Sequence, residues 1–245
     1  STVTLGSTTL PPTGGAALSY TFDEGTGTNV TDSSGNGNTG ALLNGPLWTT
    51  GKTGTALSFD GVNDELNAGT GSSIANLGPA TWSMWVKRTG SGTLLYKSDN
   101  NGSQGWWIEL TPANTLMFKV IYATTNAKAE TTTIPPVNVW THVVATWDGS
   151  NTASSYRLFV NGAEVTYSLR GAGNGARNPD TAQPLYIGRG LSGASGYFAG
   201  AIDDVKINQR VLTNQEILDL YTGGGVTPPS APAVTISASP ASITS

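Results

Sequence analysis

Apolar and polar residues alternate in many short runs along this chain, and turn residues separate the runs. In the first clear run Leu18, Tyr20 and Phe22 are apolar and their neighbours are polar, which predicts a strand with one buried face. The run 139–147 is apolar enough to be a central strand covered on both sides. Further short runs lie at 56–59, 82–87, 116–121, 156–160, 185–188 and 198–207. Since such strands must bury their apolar faces, they predict two antiparallel sheets packed face to face.

Local signals add one hairpin and one helix to this set of strands. Asn161 and Gly162 follow the run 156–160, and this dipeptide favours a type I′ turn into a return strand at 164–166. Thr213 and Glu216 have the spacing of a capping box, so a helix is predicted from there to the glycines that begin at Gly223. The predicted fold is therefore all-β, an antiparallel β-sandwich of jelly-roll type with one short C-terminal helix.

Composition supports this fold class and excludes several functions. The 245 residues include 32 Gly and seven Trp, and only 11% are charged, as expected for many short strands joined by tight turns. The net charge of −4 offers no basic field for nucleic acid, and no apolar run is long enough to insert into a membrane. The chain has no cysteine, which excludes thiol catalysis and favours a secreted bacterial domain that is stable without disulfides.

The composition also divides the chain into three parts. Residues 1–15 are rich in Thr, Gly and Pro and read as a linker, and residues 16–223 form the domain. Residues 224–245 begin as a Gly/Pro linker and end in AVTISASPASITS, which we interpret as the start of an immunoglobulin-like domain. A disordered tail is the alternative. Since Ser1 opens no secretion leader, we expect a piece of a longer secreted or surface protein.

Eight short phrases identify a family that the chain resembles. In order they are SYTFDEGTG, DSSGNGNTG, ALSFDGVND, TWSMWVKR, WTHVVATWDG, YRLFVNG, LYIGRG and AIDDVKINQRVLTNQEILDLY. Together they resemble the LamG-like (laminin-G-like, concanavalin A-like) jelly-roll family and account for nearly the whole domain. The resemblance implies a β-sandwich and an extracellular recognition module that in most members contains calcium.

A catalytic site is not predicted. The glucanases related to this family carry Glu-x-Asp-x-x-Glu along one strand, and the chain contains no such string. Glu109 lies in a strand-like context but has no acidic residue two positions away on either side. His142 is the only histidine and lies inside a predicted central strand, where a hydrogen-bonded core histidine is expected.

A calcium site is the main chemical prediction. Calcium takes six to eight oxygen ligands, and SYTFDEGTG and DSSGNGNTG supply carboxylates, amides and Gly-rich backbone. The resemblance implies a structural calcium held by Asp23 and Asp203, with oxygens from Asn36, Gly37 or Asn38. The alternative is that these residues only form turns. A second acidic phrase, 60–64, is first of all a turn.

Loops between the family phrases are the expected place for ligand recognition. Sugar sites combine an aromatic ring with planar polar groups, and arginines suit an anionic polysaccharide. Three loops, at 98–107, 170–183 and 188–197, carry such residues, and the candidates are Asp99, Asn100, Asn101, Gln104, Trp106, Arg170, Arg177 and Arg189. The alternatives are loop solubility for the polar residues and core packing for the tryptophan.

Three functions stay open at the level of sequence. The first is a non-catalytic, calcium-containing carbohydrate-binding module of a larger secreted or surface bacterial protein. The second is an adhesion or structural module that contacts a surface protein or spaces a repeat array. An exposed Trp106 near Asn100 and Asn101 would favour the first of these. The third, a glycan-active enzyme, requires a second acid facing Glu109.

Overall fold

The structure is a computed structural model that describes residues 15–190 and 196–223. It contains two β-sheets packed face to face and one helix, which confirms the predicted fold class. The elements are β1 (Ala16–Tyr20), β2 (Asn29–Val30), β3 (Gly40–Leu43), β4 (Leu47–Thr50), β5 (Thr55–Asp60), β6 (Glu65–Asn67), β7 (Ala80–Arg88), β8 (Gly92–Lys97), β9 (Trp106–Leu110), β10 (Leu116–Val120), β11 (Ala127–Thr131), β12 (Thr141–Trp147), β13 (Arg157–Val160), β14 (Ala163–Glu164), β15 (Tyr167–Gly171), β16 (Tyr186–Ile187), β17 (Ala199–Asn208) and α1 (Asn214–Thr222). Apart from Gly15, the predicted linkers and the predicted immunoglobulin-like start lie outside the described residues.

The two sheets are antiparallel throughout the described strand pairs. One sheet has eight strands in the order β14-β13-β12-β7-β17-β5-β4, and β1 pairs with the C-terminal half of β17. The other has nine strands in the order β15-β11-β10-β9-β8-β16-β6-β3-β2. Strands that are neighbours in a sheet are thus often distant in sequence; β17, for example, pairs with β5 and β7. The register therefore depends on long-range pairing.

The core lies between the sheets and is built around aromatic rings. Trp82 from the eight-stranded sheet meets Trp106 and Phe118 from the nine-stranded sheet, with ring centroids 4.8 and 5.1 Å apart. These rings and the aliphatic residues around them form one continuous buried cluster with members from both sheets. Such a core holds the sheets in register, and each sheet keeps a second, outward face.

The turn and the cap are found as predicted, but strand ends differ, and the return strand predicted at 164–166 is Ala163–Glu164. Asn161 and Gly162 have φ values of 50° and 80°, as a type I′ turn requires, and Thr213 and Glu216 form the predicted capping box. Phe22 is buried as predicted, but its φ of 56° places it outside β1. Val139 is exposed because β12 begins only at Thr141.

Candidate functional site

The outward face of the nine-stranded sheet carries aromatic and long polar side chains in a single line across the strands. On each strand the neighbours of these residues point into the core, so alternation places the line on the outside. Cross-strand registers connect its members one to the next. We call this line the outer row; it consists of Asn67, Tyr186, Tyr96, Trp107, Lys119 and Lys128.

Arg189 joins one end of the outer row to the loop between β8 and β9. Its guanidinium lies 4.3 Å from the centre of the Tyr186 ring and donates a hydrogen bond of 3.2 Å to Asn100. It also pairs with Glu65 at 3.3 Å, and burial raises the pKa of that carboxyl while Arg189 opposes the rise. Two of the loops predicted to bind ligand therefore meet beside a partly exposed tyrosine.

A second cation lies over the middle of the outer row. The Lys119 ammonium is 4.7 Å from the centre of the Trp107 ring, and burial lowers the pKa of this lysine although Glu109 acts against the shift. Trp107 packs with Tyr96 at 5.8 Å in a small apolar cluster outside the main core. Both rings are buried, so in this structure the cation above them, and not the Trp107 ring face, is the group that meets solvent.

The line of residues next to the outer row contains two glutamates. Glu109 is paired across the strands with Met117, which is paired with Glu130, so the two acids lie on alternate strands. Burial raises the pKa of Glu109, and the charges of Lys119 and Lys128 oppose this. Glu130 accepts from Thr115 at 2.6 Å and pairs with Lys128 at 2.6 Å. Of the two acids, only Glu109 has no described ion pair.

Trp106 does not offer the exposed ring that the sequence led us to expect. It is 1% exposed and its ring packs against Trp82 inside the sandwich. Its neighbour Trp107 lies on the outward face instead, but it is only 4% exposed because Lys119 covers its ring. Because both residues of this pair are tryptophan, alternation predicts that they lie on opposite faces without saying which ring is inside.

Two of the three candidate arginines pack on aromatic rings, and Arg170 lies in strand β15 and not in the predicted loop. Arg177 lies over the Trp147 ring at 5.1 Å and pairs with Asp180 at 3.5 Å, while Arg170 covers Tyr167 at 4.3 Å. Asp180 is fully buried beside Lys97, at 3.9 Å, and accepts the backbone N–H of Asn76 at 2.6 Å. This buried group fastens the loop 172–184 to the sandwich.

The remaining polar candidates lie in the β8–β9 loop. Asp99 accepts two hydrogen bonds from Ser103, at 2.7 and 2.5 Å, and Asn100 and Asn101 are exposed. Gln104 accepts from Gln183 at 3.1 Å. Of these residues, Asn100 is the one that contacts Arg189, so it is the candidate that the structure joins to the outer row.

The predicted calcium ligands lie in two separate places. Asp23 and Asp203 both contact the turn between β4 and β5, where Asp203 accepts N–H groups from Lys52 and Thr53 at 2.8 and 3.2 Å. Asp23 accepts from Thr55 at 3.2 Å. Burial raises the pKa of Asp203 to about 6, and the charge of Asp204 adds to this.

The loop 36–38 is held at the opposite end of β1. Asn36 and Asn38 donate side-chain hydrogen bonds to Ala16 and Ala17, at 2.8 and 3.0 Å. Asn38 also donates to Asp32 at 2.8 Å. Within residues 15–190 and 196–223, no group of three or more His, Cys, Asp or Glu side chains is placed to hold a metal ion.

Reasoning from the sequence missed the outer row. Its members lie in strands whose two faces are both apolar in part, such as 106–110 and 116–120, so alternation does not mark one face as a ligand surface. The available signal was the residue type on alternate positions, since Trp107, Lys119 and Tyr186 combine apolar bodies with polar tips. That signal indicates a surface that is partly exposed to solvent.

A family model matches most of the domain. The model described as the concanavalin A-like lectin/glucanases superfamily matches residues 59–218. No curated protein sequence matches the chain. No helix in the described part of the chain is long and apolar enough to cross a membrane.

Solved structures with the same fold include toxin and glycosidase domains. The binding domain of Paraclostridial mosquitocidal protein 1 is 19% identical, with a TM-score of 0.67, covering 85% of this chain and 52% of that one. Domain 4 of AbnA, an extracellular arabinanase of Geobacillus stearothermophilus, was solved with arabinotriose; it is 20% identical, with a TM-score of 0.62, covering 85% and 98%. The binding domain of botulinum neurotoxin DC, solved with SialylT, is 14% identical, with a TM-score of 0.64, covering 85% and 51%. This chain therefore spans about half the length of the toxin binding domains it matches.

Proposed function

The chain belongs to the concanavalin A-like lectin/glucanase superfamily, and from this premise we propose that it is a non-catalytic carbohydrate-binding module. The module binds a glycan on the outer row and is part of a larger extracellular bacterial protein. The observation that carries the proposal is the junction of Arg189 with Tyr186 and Asn100, where a ring and planar polar groups meet. This is the combination that recognises a sugar ring and its hydroxyls.

The fold relatives support a glycan as the ligand. One was solved with arabinotriose and another with SialylT, although identities of 20% and 14% carry only the fold across to this chain. The charges around the outer row nearly balance, with Arg189, Lys119 and Lys128 against three glutamates, Glu65, Glu109 and Glu130. The face therefore selects for neither sign, and both neutral and anionic glycans need to be tested.

We expect Tyr186→Ala and Lys119→Ala each to weaken glycan binding about tenfold or more, because each removes a ring or a cation from the outer row. Binding is first located on an array of neutral and anionic glycans and then measured by calorimetry with the best glycan. Lys87→Ala is the matched control, since Lys87 also lies over a tryptophan ring, at 5.9 Å from Trp140, but on the other sheet.

Two results would count against this site. If Lys87→Ala weakens binding as much as Lys119→Ala does, the glycan is not bound on the nine-stranded sheet. If no glycan binds at all, the adhesion or spacer function becomes the better proposal, and a protein partner is to be sought. A glycan-active enzyme is favoured only if the array glycan is cleaved and Glu109→Gln abolishes cleavage.

We also propose a structural calcium at the β4–β5 turn. Asp23 and Asp203 are the predicted ligands that share this turn, and a cation would offset the repulsion between Asp204 and each of them. Three backbone N–H groups already donate to Asp203, so Asp23 has more free acceptor capacity. The loop 36–38 does not lie with them and is left out of this site.

We expect the wild-type protein to be about 3–4 kcal/mol more stable with calcium at 100–1,000 times its dissociation constant than with EDTA. Asp203→Ala loses this difference because a ligand is gone, whatever its own effect on stability. Asp60→Ala, in an exposed turn, keeps it. The measurement is thermal unfolding of all three proteins with calcium and with EDTA. A wild-type melting curve that ignores EDTA would rule the calcium out.

A further inference from the structure

A polar cleft of about 290 Å³ lies on the outward face of the eight-stranded sheet. Its floor is formed by β1, β7, β12 and β17, and the end of α1 forms one side. The residues that matter for its chemistry are Ser19, Ser83, His142, Asp204, Lys206 and Leu220. The volume is at the lower end of the roughly 300–1,000 Å³ that small-ligand sites occupy, so it suits one small molecule.

An irregularity in β17 places Asp204 at this cleft. The register of β17 against β7 shifts between Asp203 and Lys206, and Asp204 has a φ of 48°. Beyond the shift, Lys206 is paired with Ser83 on one side and Ser19 on the other. The Asp203 side chain accepts a hydrogen bond from the β4–β5 turn, whereas Asp204 lines the cleft. Bulges that redirect a side chain, and non-glycine residues with positive φ, are concentrated at functional sites.

His142 lines the same cleft and has one buried ring nitrogen without a hydrogen-bond partner in the described part of the chain. The side chain is 3% exposed and its ring lies 5.2 Å from Trp85 and 6.3 Å from Tyr221. Its Nδ1 has no hydrogen-bond partner among the described residues. Burial lowers the pKa of His142 to about 4, so the ring is neutral near pH 7. A buried nitrogen without a partner destabilises the free protein unless water or a ligand supplies the bond.

The charges at the cleft restrict the class of ligand. Asp204 and Lys206 both line it, yet neither forms an ion pair with a described residue. The carboxylate of Asp204 would repel an anionic ligand, and the ammonium of Lys206 would repel a cationic one. A neutral molecule with several hydroxyls satisfies both, because a hydroxyl donates to one group and accepts from the other.

We propose that this cleft is a second binding site, which takes a neutral, hydroxyl-rich ligand of about the size of one sugar residue. Its hydroxyls bond to Asp204, Lys206 and the two serines, beside the ring of His142. The site lies on the opposite sheet from the outer row, so it does not depend on the function proposed above. The protein would then hold sugar on both faces of the sandwich.

His142 is the only histidine, so its imidazole signals report on the cleft without ambiguity. We would titrate the isotope-labelled protein with D-glucose, D-galactose, L-arabinose and N-acetylglucosamine up to millimolar concentrations and follow these signals by NMR. At least one sugar is expected to shift them saturably. Asp204→Asn, which tolerates the positive φ, is expected to weaken that sugar about tenfold. Asp148→Asn, an equal charge change in an exposed turn, is expected to leave it unchanged.

Several outcomes would overturn the proposal. One is that no sugar moves the His142 signals. Another is that, in Asp203→Ala, which lacks the proposed calcium site, calcium chloride saturates them while the sugars do not, which would make the cleft a cation site. A third is that Lys119→Ala abolishes the sugar response, which would assign it to the outer row. If Asp204→Asn does not fold, Ser83→Ala serves as the second variant, and unchanged sugar binding in that variant counts against the site.

Discussion

Asp180→Ala is expected to lower the free energy of unfolding by about 3–5 kcal/mol, because it leaves the Lys97 ammonium buried without its carboxylate. Both side chains are fully buried and their charged atoms lie 3.9 Å apart. The same carboxylate accepts the backbone N–H of Asn76 and pairs with Arg177, so its loss also frees the loop 172–184. Urea denaturation followed by tryptophan fluorescence measures the change.

Two controls make this result specific to the buried pair. Asp148→Ala removes an exposed acid and should change stability by less than about 0.5 kcal/mol. Lys97→Met combined with Asp180→Leu should recover only the part of the loss that comes from the unpaired Lys97 charge, because Asn76 and Arg177 still lack their acceptor. A loss below about 1 kcal/mol for Asp180→Ala would show that water reaches the pair, and the fastening role of this group would be wrong.

Trp106→Ala is expected to destabilise the protein by about 3–5 kcal/mol, because it leaves a cavity where the two sheets meet. The ring packs 4.8 Å from that of Trp82, and the residue is 1% exposed. Trp106→Phe should cost much less, since it keeps an aromatic ring and removes an indole N–H that has no described partner. The same urea experiment gives both values.

Glycan binding separates this core role from a role in recognition. At a temperature where Trp106→Ala is still folded, it should bind the array glycan with nearly wild-type affinity. Tyr186→Ala should show the opposite pattern, with weak binding and little loss of stability. If Trp106→Ala is stable but no longer binds the glycan, Trp106 contacts the ligand and its placement in the core is wrong.

Features written in short stretches of sequence were predicted well. The alternation around Trp82 and Phe118, the Asn161-Gly162 turn and the capping box at Thr213 are all found as predicted. Each depends on backbone preferences or on periodicity within a few residues, which the sequence states directly. The fold class follows, since half-buried strands have few ways to cover their apolar faces.

The candidate site was predicted only in part. Asn100 and Arg189 were selected from loops that lie 89 positions apart, and the structure joins them. Arg177 came from the same kind of loop, but it packs on Trp147. Nothing in the local sequence distinguishes the roles of Arg189 and Arg177, because each side chain contacts a residue that is distant in sequence.

The sequence by itself determined that this protein is a β-sandwich with one capped helix, because strand period, turn type and cap are local properties. Only the tertiary structure decided which tryptophan of the pair 106–107 is inside and where the acids of β17 point. It also decided that the outer row exists at all. Those outcomes depend on register between strands far apart in sequence, and a shift of one residue would exchange the two faces.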